Sequence, residues 1–238
     1  MSAAVLRQQQ LDAEGFSVCL PFQTDHYNAA IADVAPGLVT RLPPGQCAVL
    51  LGNTRASWPR FLRTWKHDPS LRASSDPFDR WVEQTLTRLI PDVAERDWYW
   101  GHAPVGERPS LLHAASAAGI PAGPAWIAAH PDYGPWFALR AVVILRHVNA
   151  PSAPATMSDM DGPCDSCRTK PCRHALEQVR ARSKATVRDT GDFGDDWQDW
   201  VRIRDACPVG QAWRYDNPQL EYHYTKRRAI LDTAAEEL

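Results

Sequence analysis

Phe137-Ala138-Leu139-Arg140-Ala141-Val142-Val143-Ile144-Leu145-Arg146 is the segment from which the fold is read. Its Val-Val-Ile-Leu run does not alternate apolar with polar side chains, which is the pattern of a central strand covered on both faces. Outward from it, Phe16 to Phe22, Cys47 to Gly52, Asp97 to Trp100 and Ala125 to Ala129 read as further strands. Helices are predicted at Ala3 to Glu14, stopped by Gly15, and at Ser110 to Ala118, stopped by Gly119. The clearest helix begins at Asp76-Pro77, an N-cap residue followed by proline at the first helical position. Its apolar stripe is Phe78, Trp81, Val82, Leu86, Leu89 and Ile90, and it ends before Pro91. These elements lack a regular βαβ rhythm, so the expected class is α+β, a mixed or antiparallel sheet with flanking helices.

From Asn149 to Pro163 the composition turns to Pro, Ser, Ala, Asp and Gly, which reads as a connector. The expected division is therefore an α+β core over 1–149 and a small cysteine-rich lobe over 150–238. Within that lobe Ala175 to Arg188 is a basic, helix-compatible stretch and Asp189 to Asp196 an acidic loop. A C-terminal helix over Gln219 to Glu237 is expected to pack back on the core.

With 238 residues, 44% of them hydrophobic, the chain can bury a substantial core. Its formal net charge is -2 and its pI is near 6.4, so no global field favours nucleic acid or an anionic membrane. The opening residues carry Arg7, a glutamine run and Asp12 instead of the apolar core of a secretory signal, and no apolar run reaches the ~18 residues of a membrane span. A cytoplasmic location is expected, where clustered cysteines more often bind metal than form disulfides. There is no Gly-rich phosphate loop, nucleophile elbow or H-E-x-x-H pattern.

Four of the six cysteines form a set: Cys164-x2-Cys167-x4-Cys172, and later Cys207-Pro208. A C-x2-C pair binds one centre from a single turn whose N–H groups point at sulfur, and Cys-Pro is the punctuation of bacterial ferredoxins. Two centres suit such a set, a [4Fe–4S] cluster or a zinc ion held by four thiolates. Zinc ribbons usually supply two C-x2-C pairs and only one is present, which favours the cluster. Arg168, Lys170 and Arg173 beside the thiols would offset cluster charge or receive an acidic electron donor. Cys19 and Cys47 sit in apolar strand context and read as core. Ten tryptophans suit either a wall around a planar ligand or a large core.

Several strings, taken in order, resemble the methylmalonic aciduria and homocystinuria type C family of cobalamin-processing proteins. They are Gly15-Phe16 with Pro21-Phe22-Gln23 and Tyr27-Asn28; Asp76-Pro77-Phe78-Asp79; His130-Pro131-Asp132-Tyr133-Gly134-Pro135-Trp136-Phe137-Ala138-Leu139-Arg140; and Asp199-Trp200 with Arg204-Asp205-Ala206. The third string is the most specific. The resemblance implies a nitroreductase-like fold and a corrinoid pocket to which His130, Trp136, Phe137 and Arg140 contribute. It also implies cobalamin as ligand, flavin as a cofactor to test for, and reductive removal of an upper ligand.

That family does not carry the four-cysteine set, whereas epoxyqueuosine reductases and corrinoid-dependent reductive dehalogenases, which resemble this combination, do join such a fold to clusters. The expected function is thus binding of a corrinoid and its reduction or loss of its upper ligand, with electrons passed through one [4Fe–4S] cluster from a reductase or ferredoxin. His223 and Tyr215, in the aromatic tail from Trp213 to Tyr224, are the candidate proton and hydrogen-bond donors. Whether the chain is catalytic stays open; as an enzyme it is a cobalamin reductase or decyanase-like oxidoreductase. The alternatives are a ferredoxin-like electron-transfer protein without corrinoid, and a zinc-stapled interaction domain.

Overall fold

The computed structural model describes residues 8–90, 96–146, 162–182, 193 and 196–238. At its centre lies an antiparallel sheet of four strands in the order β1 (Val18–Gln23), β2 (Cys47–Asn53), β4 (Ala138–Leu145), β3 (Arg96–Trp100). Val49 pairs with Val143, which pairs with Trp98, so β4 is central as its apolar run predicts.

Successive side chains leave a strand on opposite faces, and each face has its own core. Val49, Leu51, Ala141, Val143 and Leu145 meet α3 (Ser57–His67) and α5 (Pro77–Leu89) through Trp58, Phe61, Trp65, Phe78, Trp81 and Leu86. Ala48, Leu50, Val142 and Ile144 meet α2 (Thr24–Ala30) and α6 (Leu111–Ala117) through Tyr27, Ala114 and Ala115. Phe61 meets Phe78 edge-on at 4.9 Å, and Trp81 stacks on Phe16 at 5.6 Å. Each such fully buried ring contributes about 2–3 kcal/mol of apolar transfer. Trp58, Trp65 and Trp81 are therefore core, not the wall of a planar ligand.

Three expectations are corrected. Ala125 to Ala129 is not a strand: it is a turn with an isolated Ala122–Ala128 bridge, because Pro121 and Pro124 lack donors and Trp126 takes a left-handed conformation (φ 57°). The C-terminal helix is two, α9 (Asn217–Thr225) and α10 (Ala229–Glu236), broken where Lys226 turns left-handed (φ 56°). Asp76 does precede α5, but its side chain makes no cap bond; its carboxylate instead receives Lys226 Nζ at 3.3 Å.

Four further readings reach beyond the described residues: the opening helix before Gln8, whose described part is α1 (Gln8–Ala13), the connector at Asn149 to Pro163 except 162–163, the acidic loop except 193 and 196, and the basic helix past Arg182. The described part of that helix is α7 (Pro171–Arg182), which packs on α8 (Trp197–Asp205) through Leu176, Val179 and Ile203. α10 joins the main core through Leu231, Ala234 and Ala235. No helix among the described residues is long and apolar enough to cross a membrane.

The loop that follows α8 is locked to the His130–Gly134 turn. His130 and Gly134 exchange backbone hydrogen bonds at 2.8 Å, and both Gly134 (φ +54°) and Gly210 (φ +74°) are left-handed. A Cβ on Gly134 would overlap the Val209 carbonyl, and one on Gly210 the Tyr133 carbonyl. Only glycine on both sides lets the two backbones touch.

Gly134→Ala and Gly210→Ala are therefore expected to cost about 3 kcal/mol or more each, steric overlap adding to the left-handed penalty. Gly37 and Gly45 also have positive φ but open space around a Cβ, so alanine there costs about 1 kcal/mol. Urea unfolding of the four variants measures this; equal losses at all four would contradict the lock.

Candidate functional site

Two groups of side chains adjoin the lock along the chain. The first is the thiol set. Cys164 and Cys167 lie in the turns before α7, Cys172 is the second residue of α7, and Cys207 follows α8. Burial, followed by the neighbouring thiols of Cys172, Cys207 and Cys167, pushes the Cys164 thiol up to about 11. Cys207 is also raised, by burial, against a hydrogen bond from the Val209 backbone N–H that favours its thiolate. The thiols of Cys164 and Cys207 are thus each within electrostatic range of Cys167 and Cys172. Cys19 and Cys47 stand apart on β1 and β2, with burial raising Cys19 to about 12.

Left-handed Lys170 (φ 43°) turns the chain between Cys167 and Cys172, and its carbonyl accepts from Arg173 N–H at 3.0 Å. A Cβ on Gly123 would stand 2.8 Å from Cys164 Sγ, so the opposing turn leaves room for that sulfur. Among the described residues no three His, Cys, Asp or Glu side chains close around a single metal ion.

The second group surrounds a cavity of about 220 Å³ between the start of β4, α8 and α9. Trp136, Phe137 and Arg140, named from the sequence, line it, as do Tyr215 and His223. His130 does not: it stacks on Tyr133 at 4.4 Å and meets Phe137 edge-on at 6.0 Å, on the turn outside the cavity.

Arg140 is held from both sides. Its Nε donates to Asn53 Oδ1 at 2.6 Å, its Nη1 to Asp79 Oδ1 at 3.3 Å, and the guanidinium lies 4.7 Å over the Phe78 ring. Tyr215 donates to the Asn53 carbonyl at 3.4 Å, and complete burial pushes its phenol up to about 12. Trp136 is 1% exposed with Arg214 against its ring at 5.5 Å, so it offers a ligand its Nε1–H and not an open face.

Two buried polar atoms at this cavity have no hydrogen-bond partner: Trp136 Nε1 and His223 Nε2. Such atoms cost about 1–3 kcal/mol each unless a ligand or water meets them. Burial, with Arg140, Lys226 and Arg204 nearby, holds the His223 imidazole well below its usual pKa. It is neutral at neutral pH, able to donate or accept according to tautomer.

Arg204 belongs to the Arg204-Asp205-Ala206 string, from which no role follows for it. It donates to Tyr224 Oη at 3.2 Å and to the Pro135 carbonyl. Its placement was readable in principle, since the last turn of α8 carries Arg204 and Cys207 follows three residues later. Lys226, Tyr224 and Phe193 complete the basic and aromatic wall and left no motif. Volume decides what enters. Drug-sized ligands occupy roughly 300–1,000 Å³, so this cavity takes a small polar group, not a macrocycle.

No family model matches the chain. It is 28% identical to the Bos taurus cyanocobalamin reductase / alkylcobalamin dealkylase, over 91% of this chain and 77% of that protein. With the Homo sapiens protein of the same name identity is 29%, over 92% and 77%, and with that of Danio rerio 26%, over 94% and 90%. The crystal structure of a C. elegans B12-trafficking protein, CblC, described as a homologue of human MMACHC, superposes with a TM-score of 0.69 at 20% identity. It covers 99% of this chain and 97% of that one. The chain accordingly has the fold of CblC, and its sequence is similar along nearly its whole length to cyanocobalamin reductase / alkylcobalamin dealkylases.

Proposed function

We propose that this chain binds a corrinoid and reductively removes its upper ligand, drawing single electrons from an external donor through one [4Fe–4S] cluster on Cys164, Cys167, Cys172 and Cys207. The observation that carries the corrinoid reading is similarity to the cyanocobalamin reductase / alkylcobalamin dealkylases over more than nine-tenths of the chain. A corrin ring is larger than the cavity. It would lie across the opening, with only a peripheral group or the upper ligand reaching Trp136 Nε1 and His223 Nε2. Arg140, Arg204 and Lys226 make that interior favour negative charge, and each is fixed by its own partner, so little reorganisation is needed when charge develops there.

The cluster reading rests on the donor set. Four thiolates are the donor number of such a cluster, and the Val209 N–H beside Cys207 offers the hydrogen bond to sulfur by which proteins tune such centres. A bound cluster would supply one-electron steps at a potential set by those hydrogen bonds, local charge and exposure. Exposed Arg168, Lys170 and Arg173 would offset its negative charge. Zinc is the second reading. It bonds sulfur at about 2.3 Å and usually takes two C-x2-C pairs, of which this chain has one, so the cysteine spacing in the sequence favours the polynuclear centre.

Anaerobic purification with iron, sulfide, zinc, flavin and cobalt measured on one sample tests both halves. The expected result is ~4 iron and ~4 sulfide per chain with broad absorption near ~400 nm, lost in Cys207→Ser. On mixing with cyanocobalamin and a reductant, the cobalamin spectrum should shift to the cob(II)alamin form. One zinc and no iron would overturn the cluster, and an unchanged cobalamin spectrum the corrinoid assignment.

His223 gives a pH prediction. Its folded pKa lies below the unfolded value of about 6.5, so the unfolded chain binds the proton first and stability falls as pH drops through that value. Asp76, raised by burial and by Asp79, acts in the opposite direction at lower pH. Urea unfolding between pH 7 and about 5 should show a decline that flattens in His223→Gln; an unchanged slope in that variant would contradict the assignment.

A further inference from the structure

We propose that the groove beside Cys164 is the docking face for a small, acidic, ferredoxin-type electron carrier, an inference that rests on the cluster reading. The groove, about 630 Å³, runs between the Pro121–Trp126 turn and the segment from Cys164 to Arg180. Its floor is apolar, with Pro121, Ala122, Pro124 and Leu176, and the Cys164 residue stands in its wall.

Three features point to a protein partner. Trp126 is 71% exposed, the only aromatic among the large exposed hydrophobics of the described residues. It is left-handed (φ 57°) and held so by its own N–H on the Gly123 carbonyl at 2.9 Å. A non-glycine residue pays about 1–3 kcal/mol for that conformation, so the fold presents this ring to solvent at a cost, and tryptophan is a preferred anchor of interfaces.

Charge supplies the second feature. Residues 164–182 carry five Lys or Arg against two acids, in a chain that totals 26 against 28. Lys170, Arg173 and Arg180 line the groove, while Arg168 and Arg182 are exposed on the same segment. Asp165 and Glu177 line the groove as well, each held by a partner. Glu177 takes Arg173 at 3.1 Å, and Asp165 accepts the Gly162 N–H at 3.1 Å. The third feature is position, since a carrier seated on this basic rim would bring its own centre to the side of Cys164. Complementary charge of this kind raises association rates about 10–10³-fold and makes them sensitive to salt.

The test uses the full chain as purified anaerobically and a reduced acidic [2Fe–2S] ferredoxin. Binding is read by calorimetry, and electron entry by bleaching near ~400 nm in stopped flow. The expected result is tight binding at low salt that weakens about tenfold by physiological ionic strength. The double variant Arg173→Glu/Arg180→Glu should lose about tenfold in both affinity and rate, and Trp126→Ala should lose affinity. In all three proteins dithionite, which needs no docking, should bleach the cluster at one common rate. Binding indifferent to salt and to these substitutions would overturn the docking face, as would preference for a single-stranded oligonucleotide over ferredoxin. A preparation without iron that still binds ferredoxin in this salt-sensitive way would overturn the cluster reading and leave the docking face standing.

Discussion

Where Gly134 meets Val209 and Gly210, two backbones touch with no side chain between them, and the placement of the thiol segment depends on that contact. α7 buries only Leu176 and Val179, a small apolar area for holding a segment on a domain. The remaining hold comes from the lock and its immediate surroundings. Tyr133 meets Trp213 edge-on at 4.7 Å, and Arg204 reaches the Pro135 carbonyl from the last turn of α8. Since Cys207 follows Arg204 closely, and Trp136 follows Pro135, one short stretch of contacts positions both the fourth thiol and the cavity wall.

Electrostatics make the cavity selective. Partly buried cations are tolerable when each is paired, and here Arg140 has Asp79 and Asn53, Lys226 has Asp76, and Arg204 has Tyr224 and a carbonyl. Burial and these cations keep His223 neutral. At this cavity the unsatisfied atoms are a tryptophan N–H and one imidazole nitrogen, which suit a small polar group and offer nothing to an apolar one.

Much of the fold was legible because its signals are local. The unbroken apolar run of β4, the Asp76-Pro77 start of α5 and the glycine after α6 are each read within one element. α3 was not read, although Trp58, Phe61, Leu62 and Trp65 recur at helical spacing, because Pro59 interrupts the pattern at the first turn, where proline is tolerated. The break between α9 and α10 left no trace, since Lys226 is an ordinary residue held left-handed by its surroundings.

At the site, only the cysteine spacing was legible in the sequence. The cavity was not: Arg140 finds its partners 61 and 87 residues away, a relation that no window of sequence contains. His130, which shares a string with Trp136, falls outside the lining because the Gly134 turn points the two in different directions.

The proposed function makes the thiol segment and the cavity of Trp136 and His223 one redox unit. Electron paramagnetic resonance of a sample carrying both the reduced cluster and cob(II)alamin tests it most directly. The account predicts two half-integer spins close enough to split or broaden each other's signals, with faster relaxation of the cobalt signal than in cluster-free Cys207→Ser protein. A simple sum of two unperturbed spectra would contradict it.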